Sequence, residues 1–222
     1  MLVKDYMTRH PIMIGPEKPV YEAQKILVEN SIRHLPVVAD GKRLLGLITP
    51  QRLDISPEKL GSLEVWEITR YLAKLTVEQV MIKGNGLYTI DSSATLEEAA
   101  DIMIHHKVDG LPVIEDGVVT GIITKTDLLV ELQELLGATE PGWRVVMRIE
   151  DKRGENAKIN SALAKHGWDI MAWGTVRTRK QPDHWDIIFK VCGCEEDDLR
   201  SVLESIEGQE LVDIRETSTY AT

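Results

Sequence analysis

A chain of 222 residues with 43% hydrophobic content is long enough to bury a core and to divide into one to three compact units. Its formal net charge of -10 argues against nucleic acid as the main partner, because neutralising phosphates requires a basic face. No apolar run approaches the ~20 residues that a membrane-spanning helix needs, so no membrane association is expected. Met1-Leu2-Val3-Lys4-Asp5-Tyr6 opens without the apolar segment of a secretory signal, and a cytoplasmic location is the expectation.

Taken in chain order, the first unit spans residues 1–56. Pro11-Ile12-Met13-Ile14 reads as a strand. Val20, Ala23 and Leu27, at i, i+3 and i+7, give one face of an amphipathic helix. Leu35-Pro36-Val37-Val38 is a strand that runs into Asp40-Gly41, a strong hairpin signal, and returns as Leu44 to Thr49. Ser56-Pro57-Glu58 then opens a helical stretch to about Lys74. Its apolar side holds Leu63, Trp66, Ile68, Tyr71 and Leu72, which makes residues 57–76 a bracing linker.

The unit over 77–137 repeats the first. Asp109-Gly110-Leu111-Pro112-Val113-Ile114 lies 76 residues after Arg33-His34-Leu35-Pro36-Val37-Val38, and the same offset carries Val20, Ala23 and Leu27 onto Leu96, Ala99 and Met103. Asp116-Gly117 is the matching turn, one residue tighter, so Gly46 meets Gly121 at an offset of 75. Val3 to Met7 matches Val77 to Met81 at 74. Each copy reads strand, helix, strand, hairpin, strand, helix. A half-buried sheet with helices on one face leaves its other face apolar, and a second copy covers it.

After the Gly- and Pro-containing loop 137–142 the composition changes, with four of the five tryptophans beyond it (Trp143, Trp168, Trp173, Trp185). Val145 to Ile149 reads as a strand. Ile159, Ala162, Leu163 and His166 read as a helix stopped by Gly167, and Ile170 to Val176 as a second strand. Trp185, Ile187, Phe189 and Val191 alternate along a third. Leu199, Val202, Leu203 and Ile206 mark a helix closed by Gly208, and Val212 and Ile214 a last strand. The order βαββαβ is the ferredoxin-like plan. Cys192 and Cys194 are too few for a disulfide scaffold and read as two small thiols. His105-His106 reads as a helix end over solvent, and no metal site is expected.

The register of Met7-Thr8, Arg33 to Val38 and Gly121-Ile122-Ile123-Thr124-Lys125-Thr126-Asp127 resembles the tandem CBS (cystathionine β-synthase type) domain pair, over roughly residues 1–137. The resemblance implies a fold of the α/β (α+β) class, two βαββα repeats in a pseudo-twofold module whose cleft binds an adenosine-containing ligand of the AMP, ADP or ATP class. It implies that Asp127 accepts from the ribose hydroxyls and that Thr124 and Thr126 offer hydroxyl and backbone N–H groups to a phosphate. Ile12 with its neighbours would line the adenine slot, and Arg33 and His34 would meet the phosphates, with Thr8 and His10 beside them and Lys125 as a weaker cation. Asp127 reads equally as a plain helix cap, and Arg33-His34 as a solvated strand entry. In the first repeat Thr49 is followed by Arg52 where Asp127 stands in the second, and Asp109 replaces a cation, so that cleft is expected to be degenerate.

Residues 143–216, with Glu150-Asp151-Lys152-Arg153-Gly154 turning from strand to helix, resemble an ACT domain, with Asp151, Gly154 and Asn156 as implied effector positions. The whole chain resembles the acetoin-utilisation regulatory protein family. No nucleophile–base pair, metal cluster, P-loop or Rossmann fingerprint is found, so the chain is expected not to be an enzyme and to need no cofactor. A ligand-sensing homodimer is the leading reading, with an amino acid as a second effector. An interaction or assembly protein with vestigial clefts is the alternative.

Overall fold

The computed structural model describes residues 1–53 and 74–217. The chain divides into two compact units, Met1–Leu128 and Leu129–Thr222. The bracing helix expected between Ser56 and Lys74 lies, but for Lys74, outside the described residues.

The first unit runs α1 (Val3–Tyr6), β1 (Thr8–Arg9), α2 (Val20–Glu29), β2 (Leu35–Val38), β3 (Leu44–Ile48) and α3 (Pro50–Leu53). It continues with α4 (Val77–Val80), β4 (Ile90–Asp91), α5 (Leu96–His106), β5 (Gly110–Glu115), β6 (Val118–Thr124) and the start of α6 (Lys125–Leu135). The helical spacing of α2 and α5 is realised: Ala23 and Ala99 are fully buried, with Leu27 and Met103 beside them. At the second turn Asp116 and Gly117 take φ of 50 and 81, the left-handed pair that a two-residue hairpin requires. The first turn accommodates its extra residue by closing Ala39 N–H onto the Arg43 carbonyl at 2.9 Å. Both hairpins bulge at the same place, between Val37 and Val38 and between Val113 and Ile114.

One feature of the repeat is not local. Val3 and Met7 pack with Leu96, Ala99, Met103, Leu111 and Ile123, in the core of the second copy. Val77 packs with Ala23, Leu27, Leu35 and Ile48, in the core of the first. The opening segments are therefore exchanged between copies. β1 pairs with β6 (Thr8 opposite Ile122, Arg9 opposite Gly121), while Ile82 and Leu47 trade backbone hydrogen bonds of 2.9 and 3.0 Å. Gly46 and Gly121 make room for this: a Cβ on either would collide with Met81 or Met7, respectively.

Pro11 to Ile14 departs from expectation. Only Ile14 enters a ladder, as a single parallel bridge to Val37. His10 at φ 51 turns the chain away from β6, and Pro11 has no N–H to offer a neighbouring strand.

The second unit contains β7 (Gly142–Glu150), α7 (Glu155–Lys165), β8 (Asp169–Arg177), β9 (His184–Cys192), α8 (Glu196–Glu204) and β10 (Gln209–Thr217). The strand order is β10-β7-β9-β8, with every pairing antiparallel, which is the ferredoxin-like arrangement. Ile159, Leu163, Leu199 and Leu203 from the helices close over Val145, Met147, Ile187, Phe189 and Val191 of the sheet. Val212 and Ile214 mark the last strand, as read from sequence. A bulge between Leu211 and Asp213 turns Val212 outward to 42% exposure and gives its place to Leu211.

Candidate functional site

β6 ends at Thr124 and α6 begins at Lys125, so Asp127 falls in the first turn of the helix. There Asp127 and Thr124 form a reciprocal cap. Asp127 Oδ2 accepts from the Thr124 N–H at 2.7 Å and from the Thr124 hydroxyl at 2.8 Å. The cap engages Oδ2 and holds the half-buried carboxylate in one orientation, with Oδ1 outside these bonds.

Beside it lies the entry of β2. His34 is half-buried, and its ring lies against Gly110, where a Cβ would stand 3.0 Å from the imidazole. Burial lowers the His34 pKa; Asp109 opposes this, the Arg33 guanidinium lowers it further, and Asp127 raises it. His34 of one copy thus lies within electrostatic reach of Asp109 and Asp127 of the other. Asp109 was expected at the degenerate cleft, facing phosphate. Instead its carboxylate bonds Lys125 Nζ at 2.7 Å, and its carbonyl accepts from the Lys125 N–H at 3.0 Å. The bonded Lys125 ammonium holds the Asp109 carboxyl below its ordinary range. Lys125 is thereby engaged before any ligand arrives.

Thr8 lies on β1 opposite Ile122, two residues before Thr124, and the His10 N–H donates to the Thr120 carbonyl at 3.1 Å. Ile12 is 41% exposed and belongs to no strand. In the first copy Thr49 precedes α3, and the Arg52 N–H returns to the Thr49 carbonyl at 2.9 Å. Pro50 occupies the position of Lys125 and has no N–H for a bond like that from Lys125 to Asp109.

In the second unit, Asp151, Gly154 and Asn156 line a 290 Å³ pocket at the start of α7, with Trp185 and Thr175 opposite. Gly154 takes φ 90, so the tight turn expected there is formed. Glu155 is buried at its edge, held below its usual range by hydrogen bonds from Gln209 and Lys158. His105 bonds the Asp101 carbonyl at 2.9 Å and His106 stacks on Tyr88, a satisfied helix end. Among the described residues no group of three metal-ligating side chains is found. Sequence reasoning missed Lys190, which is 1% exposed, and the cationic turn after β8. Three bases in four residues of an acidic chain was the available signal for the latter.

The CBS domain family model matches residues 3–53 and 77–134. A solved chain from Vibrio cholerae named for acetoin utilization (AcuB) is 30% identical, aligns over 64% of this chain and 98% of its own, and superposes with a TM-score of 0.51. The chain belongs to the CBS domain family. Among curated proteins, L-aspartate semialdehyde sulfurtransferase of Methanocaldococcus jannaschii is 31% identical over 130 residues, 57% of this chain and 22% of that protein. Inosine-5'-monophosphate dehydrogenase of Staphylococcus haemolyticus is 29% identical over 121 residues, 54% of this chain and 22% of that enzyme. The chain spans about a fifth of the length of these two relatives. Its two CBS domains are a tandem pair within one mixed α/β unit.

Proposed function

We propose that the CBS pair senses an adenine nucleotide and that the ferredoxin-like unit is an ACT-type module answering to an amino acid or a partner. On this reading the chain regulates rather than catalyses, acts in the cytoplasm as a homodimer, and requires no cofactor. One observation carries it. The Asp127 carboxylate is oriented by Thr124 at a helix start, within electrostatic reach of His34 of the other repeat, whose chain neighbour is Arg33. That set supplies an acceptor for ribose hydroxyls together with cations and N–H donors for phosphate. In the ACT-type unit, Asp151 and Asn156 beside the Gly154 turn would meet the polar end of an amino acid.

A thermal-shift series with AMP, ADP and ATP tests the reading. Bound ligand at 100 times its Kd stabilises the folded chain by about 2.7 kcal/mol, which raises the melting temperature measurably. Because the carboxylate also caps α6, Asp127→Ala is expected to cost about 0.5–2 kcal/mol by itself. Asp127→Asn keeps an acceptor for the cap and removes the charge, so it is the cleaner variant, and it should lose most of the shift. No shift with any of the three at millimolar concentration favours the second reading, an assembly protein with vestigial clefts. The mutual neutralisation of Lys125 and Asp109 is the observation on that side.

His34 gives the reading a pH signature. Its folded pKa lies below the free imidazole value, so the unfolded chain takes a proton first as pH falls. Stability contributed by the neutral ring is present above about pH 6.5 and is lost as pH drops through the folded value. A phosphate arriving beside His34 raises that value, so nucleotide binding should take up a proton as pH approaches the free imidazole value. Calorimetry in two buffers of different ionisation enthalpy measures the uptake, and His34→Ala should abolish it. Proton uptake unchanged in that variant would remove His34 from the site.

A further inference from the structure

The turn that follows β8 gathers positive charge in a chain of net charge -10: Arg177-Thr178-Arg179-Lys180. With Arg148 and Asp186 these residues line a 510 Å³ pocket, four cations against one carboxylate. The four are not equivalent. Arg148 is committed, 2.9 Å from Asp186 and 3.5 Å from Glu210. Arg177 is held over the Trp185 ring, 4.5 Å from its centroid, and donates to the Pro182 carbonyl at 3.3 Å, with Asp151 at a loose 3.7 Å. Arg179 and Lys180 are exposed, and neither has a partner among the described residues.

Between them Thr178 is only 8% exposed, and its hydroxyl, closed off from solvent, has no hydrogen-bond partner among the described residues. A buried hydroxyl left unpaired is uncommon in folded proteins. Its neighbours on both sides are arginines, and Arg179 has no counter-ion among the described residues. An anion in the pocket resolves both features.

We propose that this pocket binds a phosphorylated small molecule. Arg177 presents a guanidinium already fixed by its ring contact, Arg179 and Lys180 close on the anion, and rotation of the Thr178 side chain turns its hydroxyl to donate to one of its oxygens. Guanidinium groups pair with phosphate in two-pronged fashion, and a pocket of this size admits more than a bare ion. An extended nucleic acid is disfavoured, because Asp151, Asp186 and Glu210 flank the cations and would repel a long polyanion. The site is independent of the CBS cleft and does not rest on the reading of it.

Titration of the full chain with inorganic pyrophosphate, alongside sulfate at equal ionic strength, is the test. Pyrophosphate should bind with a Kd below about 1 mM. Arg179→Ala with Lys180→Ala should weaken it at least ten-fold, Thr178→Val should weaken it by a smaller factor, and Asp127→Asn should leave it unchanged. The proposal is overturned if pyrophosphate does not bind, if the double variant binds as well as the parent, or if sulfate binds equally well. It is also overturned if binding follows Asp127 instead, which would assign the anion to the CBS cleft.

Discussion

Calorimetric titration of the full chain with AMP is expected to return one nucleotide per chain, with a second site at least about ten-fold weaker. The two copies are alike enough in fold to offer two clefts, so two equal sites would be the default outcome. What separates them is the first turn of the helix after each hairpin. In the second copy that turn presents the Asp127 carboxylate, held by the Thr124 cap. In the first, the corresponding residue is Arg52, exposed in the first turn of α3. Loss of a charged hydrogen-bond acceptor costs about 1.5–3 kcal/mol, which corresponds to a factor of roughly 10 to 150 in affinity. Asp109 does not add the repulsion expected of it from sequence, because Lys125 neutralises it at 2.7 Å. The asymmetry therefore rests on Arg52 against Asp127, and Arg52→Asp should raise the affinity of the second site. Two sites of similar affinity in the unaltered chain would sink this account.

Lys190→Ala is expected to destabilise the ferredoxin-like unit by about 2–4 kcal/mol. Lys190 is 1% exposed on β9, on the face opposite Phe189 and Val191. Its ammonium donates to the Gly137 carbonyl at 2.5 Å and to the Glu140 carbonyl, binding the loop ahead of β7 to the sheet. Burial pushes its pKa down, with Glu140 opposing. Truncation leaves two carbonyls without their donor and empties the space of the stem, which touches the Gly137 backbone turn. Lys190→Met keeps most of that volume and should lose only the hydrogen-bonding share, about 1–3 kcal/mol. Urea unfolding followed by tryptophan fluorescence measures both, since four of the five tryptophans lie in this unit. A Lys190→Ala chain within about 0.5 kcal/mol of the parent would show that the clasp holds nothing.

Much of the fold was written in local pattern. The i, i+3, i+7 spacing of Val20, Ala23 and Leu27 and of Leu96, Ala99 and Met103 specifies two helices, because that period places all three on one side. The alternation of Ile187, Phe189 and Val191 specifies a buried strand face for the same reason, at period two. Thr124 and Asp127 stand at the three-residue spacing at which a cap can reciprocate, so their bond follows from sequence once a helix begins there. The turn at Asp116-Gly117 needs only two residues that tolerate positive φ.

Other features depended on which surfaces met. Nothing in Val3 to Met7 states that it will complete the core of the other repeat; that exchange is decided by which sheet has an open edge and a glycine beneath it. Period two puts Lys190 on the solvent side of β9, and only the loop 137–140 folding over that side buries it. Asp109 and Lys125 are 16 residues apart and became an ion pair because β5 and β6 are antiparallel neighbours. Helix and strand follow from interactions a few residues long, which the order of residues contains. Segment exchange, a buried ammonium and a neutralised acid arise from contacts between distant segments, and those exist only once the chain has closed on itself.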